Sequence, residues 1–200
     1  MYLEILSVIL GVVVAVTGQD PTAACYPPVF QTEYYNLITE DRGFIYVDFS
    51  KQKFVEVSSV SSNKYIHDFA KLQSYAISGS GNHTTCKNYT LQQSQVMYRC
   101  LPPYAKYVTH GSGYLHHVAS EKMLLHTWDV ETETDKVNRV VFSVVGGQPN
   151  WPIMSQEYGY HGTTNMYIYL NPTPTVSNQS VFTIPTSCQT YEINISPIIG

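Results

Sequence analysis

Four cysteines are the residues of this 200-residue chain with the most specific chemistry. Their number is even, no two stand in a Cys-x-x-Cys arrangement, and they are spread across nearly the whole chain. This pattern predicts two disulfides in a secreted protein rather than a metal or redox site. Four cysteines allow three pairings, and their spacing alone does not choose among them. The four are Cys25, Cys86, Cys100 and Cys188.

Histidines are the next candidates for chemistry, because four of the seven lie close together in sequence: His110, His116, His117 and His126. A tetrahedral zinc site needs three or four convergent ligands. If His116 and His117 lie on a strand they point to opposite faces, so only one of them could join His126 at a metal. We therefore interpret these histidines as structural residues.

An acidic run is the candidate metal site of the chain. Its carboxylates alternate with other residues at the predicted turn of a hairpin, and a Ca²⁺ site takes about six to eight oxygen ligands. The run lacks the glycine and the glutamate spacing of an EF-hand loop, so an ordinary solvated turn is the alternative interpretation. The candidate calcium ligands are Asp129, Glu131, Glu133 and Asp135.

The sequence carries no motif of a common enzyme class. It has no Gly-x-Ser-x-Gly nucleophile elbow, no His-Glu-x-x-His and no P-loop. We therefore expect a protein that is not an enzyme and has no cofactor other than calcium. A net charge of −4 without a run of Lys and Arg also argues against a nucleic-acid partner.

Residues 1–18 are expected to be a signal peptide. Their apolar core, Ile5–Val16, is shorter than the ~20 residues that cross a bilayer, and Gly18 lies at the expected cleavage point. The rest of the chain has no comparable apolar stretch, so we expect no transmembrane segment and an extracellular protein. Four Asn-x-Ser/Thr sequons predict N-glycosylation. Their asparagines are Asn82, Asn88, Asn178 and Asn194.

Strand-like alternation with regular turn signals predicts an all-β fold with little helix. The run from Gly43 to Ser58, with a turn at residues 50–53, is typical of a hairpin. Further strands are predicted at 72–78, 104–109, 122–130, 137–145, 166–170 and 181–184. The one helix candidate is the stretch 63–72. We expect a single domain over residues 19–200.

Several motifs identify a family resemblance. Cys25-Tyr-Pro-Pro opens the mature chain, Cys86-Lys-Asn-Tyr-Thr-Leu91 leads to Leu101-Pro-Pro-Tyr-Ala105, and Val181-Phe-Thr-Ile-Pro-Thr-Ser-Cys188 closes it. In this order and spacing they resemble the ependymin and ependymin-related family over roughly residues 25–188. The closing run and the run after Cys86 are the most specific pieces.

The resemblance implies a fold, a function and a disulfide pattern. The fold is two stacked, curved antiparallel sheets that form a half-barrel with an apolar pocket, similar to bacterial lipoprotein carriers. The function is binding of a lipid or other hydrophobic small molecule, with calcium binding; the alternative is a matrix or cell-adhesion glycoprotein acting through calcium- and glycan-dependent contacts. The family's cysteine near residues 147–155 is missing, so the resemblance pairs Cys86 with Cys188 and leaves Cys25 to Cys100.

The pocket of such a fold would be lined by aromatic and aliphatic residues of the predicted strands. The sequence pattern alone does not separate pocket-lining residues from an ordinary sandwich core. An exposed sheet edge would also allow a homodimer. The candidate pocket residues are Phe44, Tyr46, Phe54, Leu124, Trp128, Phe142, Tyr167 and Tyr169.

Overall fold

The computed structural model describes residues 20–79, 84–92, 96–109, 113–118, 121–133, 136–145, 148–159 and 162–188. The expected signal peptide lies outside these residues. Twelve strands and three short 3₁₀ helices make up the described elements, and every strand pairing among them is antiparallel, so the prediction of an all-β fold is confirmed. The strands are β1 (Val29–Asn36), β2 (Arg42–Asp48), β3 (Lys53–Ser58), β4 (Lys64–Asp68), β5 (Gln73–Ser78), β6 (Thr85–Thr90), β7 (Lys106–Tyr107), β8 (Gly113–Val118), β9 (Glu121–Glu133), β10 (Lys136–Val145), β11 (Gln148–Gly159) and β12 (Gly162–Thr173).

The chain forms two compact units, each made from two separate stretches. Unit A comprises Met1–Tyr26 and Cys100–Met166, and unit B comprises Pro27–Arg99 and Tyr167–Gly200.

Unit B is a meander in which β1 to β6 pair in sequence order. The last part of β12 pairs with the free side of β1, from Asn36 opposite Tyr167 to Gln31 opposite Thr173. Side chains of β1 alternate strictly between buried and half-buried positions, as expected for a strand whose two faces differ in environment.

Four successive hairpins of unit B use the same turn. The last residue of the first strand is buried, and its side-chain oxygen accepts a backbone N–H of the turn two or three residues later. Four residues after it, a non-glycine residue adopts a positive φ of 58°, 52°, 56° or 53°. Asn, Asp and Ser favour turns through such bonds. The pairs are Asn36 with Glu40, Asp48 with Gln52, Ser58 with Ser62, and Asp68 with Leu72.

The core of unit B lies between its sheet and the segment of residues 176–188. This segment contains the 3₁₀ helices Gln179–Phe182 and Thr186–Cys188. Lys53 Nζ holds it by a bond of 3.3 Å to the Phe182 carbonyl oxygen. The buried core residues are Val55, Ile66, Tyr75, Ile77, Val176, Phe182 and Cys188.

Unit A contains β7 to β11, the start of β12 and the described residues 20–26. β10 is its central strand, paired with β9 on one side and β11 on the other. Its core forms around Trp128 and Phe142, both fully buried, with ring centroids 5.9 Å apart. The other buried members are Ala24, Leu101, Ala105 and Val140.

Two sequence-based assignments were wrong. The helix candidate at 63–72 contains β4, in which Ile66 and Asp68 are buried while Tyr65 is exposed; this two-residue period is that of a strand. The predicted strand at 181–184 overlaps the 3₁₀ helix Gln179–Phe182, because the Asn178 side chain accepts from the Ser180 backbone N–H and caps a helical turn instead.

Candidate functional site

One face of the unit B sheet carries exposed apolar side chains. Phe44 is 37% exposed and Leu170 is 46% exposed. Both pair across the sheet with Glu33 of β1, so they flank it in one row on the same face. The next rows add half-buried neighbours, among them Tyr46, whose ring stacks on Phe44 at 6.2 Å. We call this surface the apolar strip; it consists of Tyr35, Phe44, Tyr46, Val57, Ile168 and Leu170.

The opposite face of the same strands, which we call the Tyr34 face, is more buried and carries a polar cluster. The Tyr34 hydroxyl donates to Asp41 Oδ2 at 2.9 Å, and the Ser58 hydroxyl donates to Asp41 Oδ1 at 2.6 Å. Glu56 also lies against the Tyr34 hydroxyl. Burial raises the pKa of Glu56. The hydrogen bond from Tyr34 opposes this rise, and the charge of Asp41 adds to it. Burial, followed by the charge of Glu56, likewise raises the pKa of Tyr34.

The eight candidate pocket residues are divided between the units and between faces. Within unit B, Phe44 and Tyr46 belong to the apolar strip. Phe54 instead contacts His67, at 5.7 Å between rings, and Tyr167 packs edge-on against Tyr34 at the same distance. These contacts and the strand register place Phe54, Tyr167 and Tyr169 on the Tyr34 face. The five predicted pocket residues of unit B therefore lie on opposite faces of the sheet, two on the apolar strip and three on the Tyr34 face.

The remaining three candidates belong to unit A, where two of them are core residues. Trp128 and Phe142 have no exposed surface and pack on the buried residues next to the Cys25–Cys100 disulfide. Leu124 is half-buried on β9. For Trp128 and Phe142 the structure matches the alternative that the sequence left open, an ordinary core.

Two of the four acidic residues proposed for calcium have cationic partners. Asp129 accepts Nε and Nη2 of Arg139 at 2.7 and 2.8 Å, and Glu131 pairs with Lys106. The backbone of Glu133 ends β9, and Asp135 lies outside the described residues. The described part of the chain contains no group of three or more His, Cys, Asp or Glu side chains placed to hold a metal ion.

Sequence reasoning missed the cluster around Asp129. Arg139 lies directly opposite Asp129 in the β9–β10 hairpin, and the Tyr158 hydroxyl donates to Asp129 Oδ2 at 2.9 Å. The Arg139 guanidinium also lies over the Tyr158 ring, 5.2 Å from its centroid. Burial alone would raise the pKa of Asp129, but the bonds from Arg139 and Tyr158 and the charge of Arg139 lower it. Opposite charges on the two strands that flank the predicted turn were the available signal.

The side chain of His126 packs among aromatic rings in unit A. His126 contacts Tyr107 and Trp128 edge-on, at 5.5 and 5.6 Å between ring centroids. His116 and His117 lie on β8, and His110 falls outside the described residues. These ring contacts agree with the interpretation of His126 as a structural residue, which stays a prediction.

Both predicted disulfides are present. Cys25 is bonded to Cys100 in unit A with an S–S distance of 2.01 Å, and Cys86 to Cys188 in unit B with 2.11 Å. The pairing that the family resemblance implied is thereby confirmed. A backbone bridge between Cys25 and Cys100 supports the first bond, with Leu101 N–H donating to the Ala24 carbonyl at 2.9 Å.

The two described sequon asparagines differ in exposure. Asn178 is exposed, and its Oδ1 accepts the hydroxyl of Ser180, the third sequon residue, at 2.7 Å. Asn88 is half-buried on β6, opposite Tyr75. Asn82 and Asn194 lie outside the described residues. Asn178 is therefore the sequon whose described surroundings best suit a glycan.

The comparisons with known proteins add no family assignment. No family model and no curated protein matches this chain. Over the stretches that the structure describes, no helix has both the length and the apolar character needed to cross a membrane. The resemblance to ependymins stays a prediction from the motifs.

Proposed function

We propose that the protein is a secreted glycoprotein that binds a lipid or another hydrophobic small molecule through the apolar strip of unit B. The observation that carries the proposal is the exposure of Phe44 and Leu170 on one face, in a row of a regular sheet. Single exposed apolar residues are common, whereas grouped ones mark binding surfaces. The half-buried Tyr46 and Val57 extend the surface toward the core of the unit.

The apolar character of the strip suits an acyl chain. Burial of apolar surface contributes about 25 cal/mol per Å², so covering about 200 Å² would contribute about 5 kcal/mol. An alkyl chain needs few polar contacts. The Glu33 carboxylate lies between Phe44 and Leu170, where it can accept a hydrogen bond from the polar end of a ligand. A ligand with one long apolar part and one small polar group fits this arrangement.

The two disulfides and the sequons support an extracellular location. Disulfides persist in oxidising environments such as the extracellular space. N-glycosylation at Asn178 would take place on the same secretory route. Together with the expected leader, these features support an extracellular carrier.

A binding assay on the secreted full-length chain tests the proposal. A fluorescent long-chain alcohol, whose hydroxyl can donate to Glu33, is titrated into the wild type, Phe44→Ser, Leu170→Ser and Tyr65→Ser. Tyr65 is the matched control, because it is also 37% exposed but lies on the Tyr34 face, opposite Glu56. We expect about tenfold weaker binding for each strip variant and unchanged binding for Tyr65→Ser. Absence of binding by the wild type, or equal loss in all three variants, would contradict the proposal.

A further inference from the structure

A polar row crosses the strands of unit A. Lys106 of β7 lies opposite Asp129 of β9, Asp129 opposite Arg139 of β10, and Arg139 opposite Gln156 of β11. Gln156 Nε2 then donates to Thr163 Oγ1 of β12 at 2.8 Å. Five strands therefore place one polar side chain each in a continuous line on a single face.

The end of this row opens into a depression of about 250 Å³. Its volume is below the ~300 Å³ at which pockets for drug-sized ligands begin, so an occupant would be a smaller molecule. Gly162 contributes only backbone to the wall; its φ is +99°, and a Cβ built on it would meet no atom within 4 Å. The wall residues are Arg139, Gln156, Tyr158, Gly159, Gly162 and Thr163.

Arg139 is held in one orientation at this wall. Asp129 accepts hydrogen bonds from Nε and Nη2 of Arg139 in a bidentate pair. Arg139 Nη2 also lies 3.2 Å from the Tyr158 hydroxyl. A guanidinium has five N–H donors in a fixed plane. Within the described chain no group accepts from Nη1, so its two N–H donors are available to a ligand without loss of side-chain freedom.

Gln156 and Thr163 supply hydrogen-bonding groups of both kinds. Because Gln156 donates to Thr163 Oγ1, the Thr163 hydroxyl proton is left to donate. Gln156 Oε1 has no partner among the residues that the structure describes, and it is an acceptor. The wall thus combines guanidinium donors, an amide acceptor and a hydroxyl.

The charges around the depression cancel. Asp129 neutralises Arg139, and Glu131 neutralises Lys106. A carboxylate or sulfate offers only acceptors and would lie near Gln156 Oε1 and near the Asp129 carboxylate that is bound to Arg139. A hydroxyl group both donates and accepts, so vicinal hydroxyls match the mixed wall.

We infer that this depression binds a neutral, hydroxyl-rich ligand of monosaccharide size, with Arg139, Gln156 and Thr163 as its hydrogen-bonding residues. This site is separate from the apolar strip, and its inference does not rest on the proposed lipid binding. It gives unit A a binding role of its own.

Saturation-transfer NMR on the full-length secreted chain tests the inference. The probes are glucose, galactose, mannose and N-acetylglucosamine at millimolar concentration, with glucuronate and sulfate as anionic comparisons. The variants are Gln156→Ala and Thr163→Val, which leave the Asp129–Arg139 pair intact. Thr164→Val is the matched control, because Thr164 is the exposed neighbour of Thr163 on the other face of β12.

We expect at least one neutral sugar to bind, and each site variant to weaken its binding about fivefold, the usual effect of one lost hydrogen bond. Thr164→Val should bind like the wild type. The inference is overturned if no sugar binds the wild type, if the site variants bind unchanged, or if the control loses as much as they do. Tighter binding of glucuronate or sulfate than of every neutral sugar would also overturn it.

Discussion

Gly43 and Val57 lie so close across the β2–β3 ladder that a side chain at residue 43 has no room. A Cβ built on Gly43 would stand 1.8 Å from the Val57 carbonyl oxygen and 2.8 Å from its carbonyl carbon. Backbone atoms cannot rotate away as a flexible side chain can, so any larger residue must separate the two strands. The position of the apolar strip, which Phe44 and Val57 share, depends on this close approach.

Gly43→Ala is therefore expected to lower the free energy of unfolding by about 3 kcal/mol, the upper part of the range for overpacking. Gly162→Ala is the comparison, because its φ is positive but the space around it is open; it should cost about 1 kcal/mol. Urea denaturation followed by circular dichroism measures both. If both variants lose the same free energy of unfolding, the backbone conformation of glycine, rather than the contact with Val57, determines the loss.

Glu56 should make unit B less stable as the pH rises. Its folded-state pKa is raised by burial, so the folded protein holds the proton more tightly than the unfolded chain does. The stabilisation is fully present below about pH 4.3 and is lost as the pH rises through the raised pKa. Glu56→Gln should flatten this decline and raise the urea midpoint at pH 7. A variant less stable than the wild type at pH 7 would contradict this.

Asp129 should show the opposite pH dependence. Its folded-state pKa is lowered, because the bonds from Arg139 and Tyr158 outweigh the effect of burial. The stabilisation is present above about pH 3.9 and is lost as the pH falls through the lowered pKa. Asp129→Asn should therefore reduce the urea midpoint at pH 7 and leave little further loss on acidification. If Asp129→Asn matches the wild type at pH 7, the ion pair with Arg139 contributes nothing to stability.

Trp128 should stabilise the fold through the volume of its side chain rather than through a hydrogen bond from its N–H. The side chain is fully buried, and in the described part of the chain its Nε1 has no hydrogen-bond partner. Trp128→Ala should cost about 4 kcal/mol through the cavity that it leaves among Tyr107, His126 and Phe142. Trp128→Phe should cost less than half as much, since no hydrogen bond is lost. Similar thermal midpoints for the two variants would disprove this distinction.

The disulfide pairing can be checked on the intact protein. Mass spectrometry of a protease digest prepared without reduction should yield linked peptides that contain Cys25 with Cys100 and Cys86 with Cys188. Replacing either pair by alanines should cost about 2–5 kcal/mol. A peptide that joins Cys25 to Cys188 would contradict both assignments.

The hairpins were predictable because their signals are local. The strands of the β2–β3 hairpin are short runs rich in aromatic and β-branched residues, and β2 ends at Asp48, whose side chain accepts a backbone N–H of the following turn. The stretch of β4 was read as a helix because Tyr65, Ile66 and Phe69 also fit a period of 3.6. The segment forms a strand because it pairs with β3 and β5, and a short stretch of sequence does not reveal such pairing.

β11 was missed because it contains two prolines, which argue against a central strand. Both lie where the β10–β11 register shifts, Pro152 opposite Phe142 and Pro149 opposite Val144. The Ser143 hydroxyl compensates locally, accepting from the Trp151 N–H at 3.3 Å. The Asp129–Arg139–Tyr158 cluster was missed for a related reason, since three strands must be in register before its members meet.

The discontinuous make-up of the two units has a consequence for the order in which the chain is synthesised. Unit A is complete once residue 166 has been made, whereas the first strands of unit B must wait for the segment that carries Cys188. At about 5–20 residues per second, Cys86 remains a free thiol for roughly 5–20 seconds, during which Cys25 and Cys100 are both available to it. On the proposed secretory route three thiols are exposed to oxidation before the fourth arrives, so we expect efficient production to depend on a disulfide isomerase as well as on an oxidant.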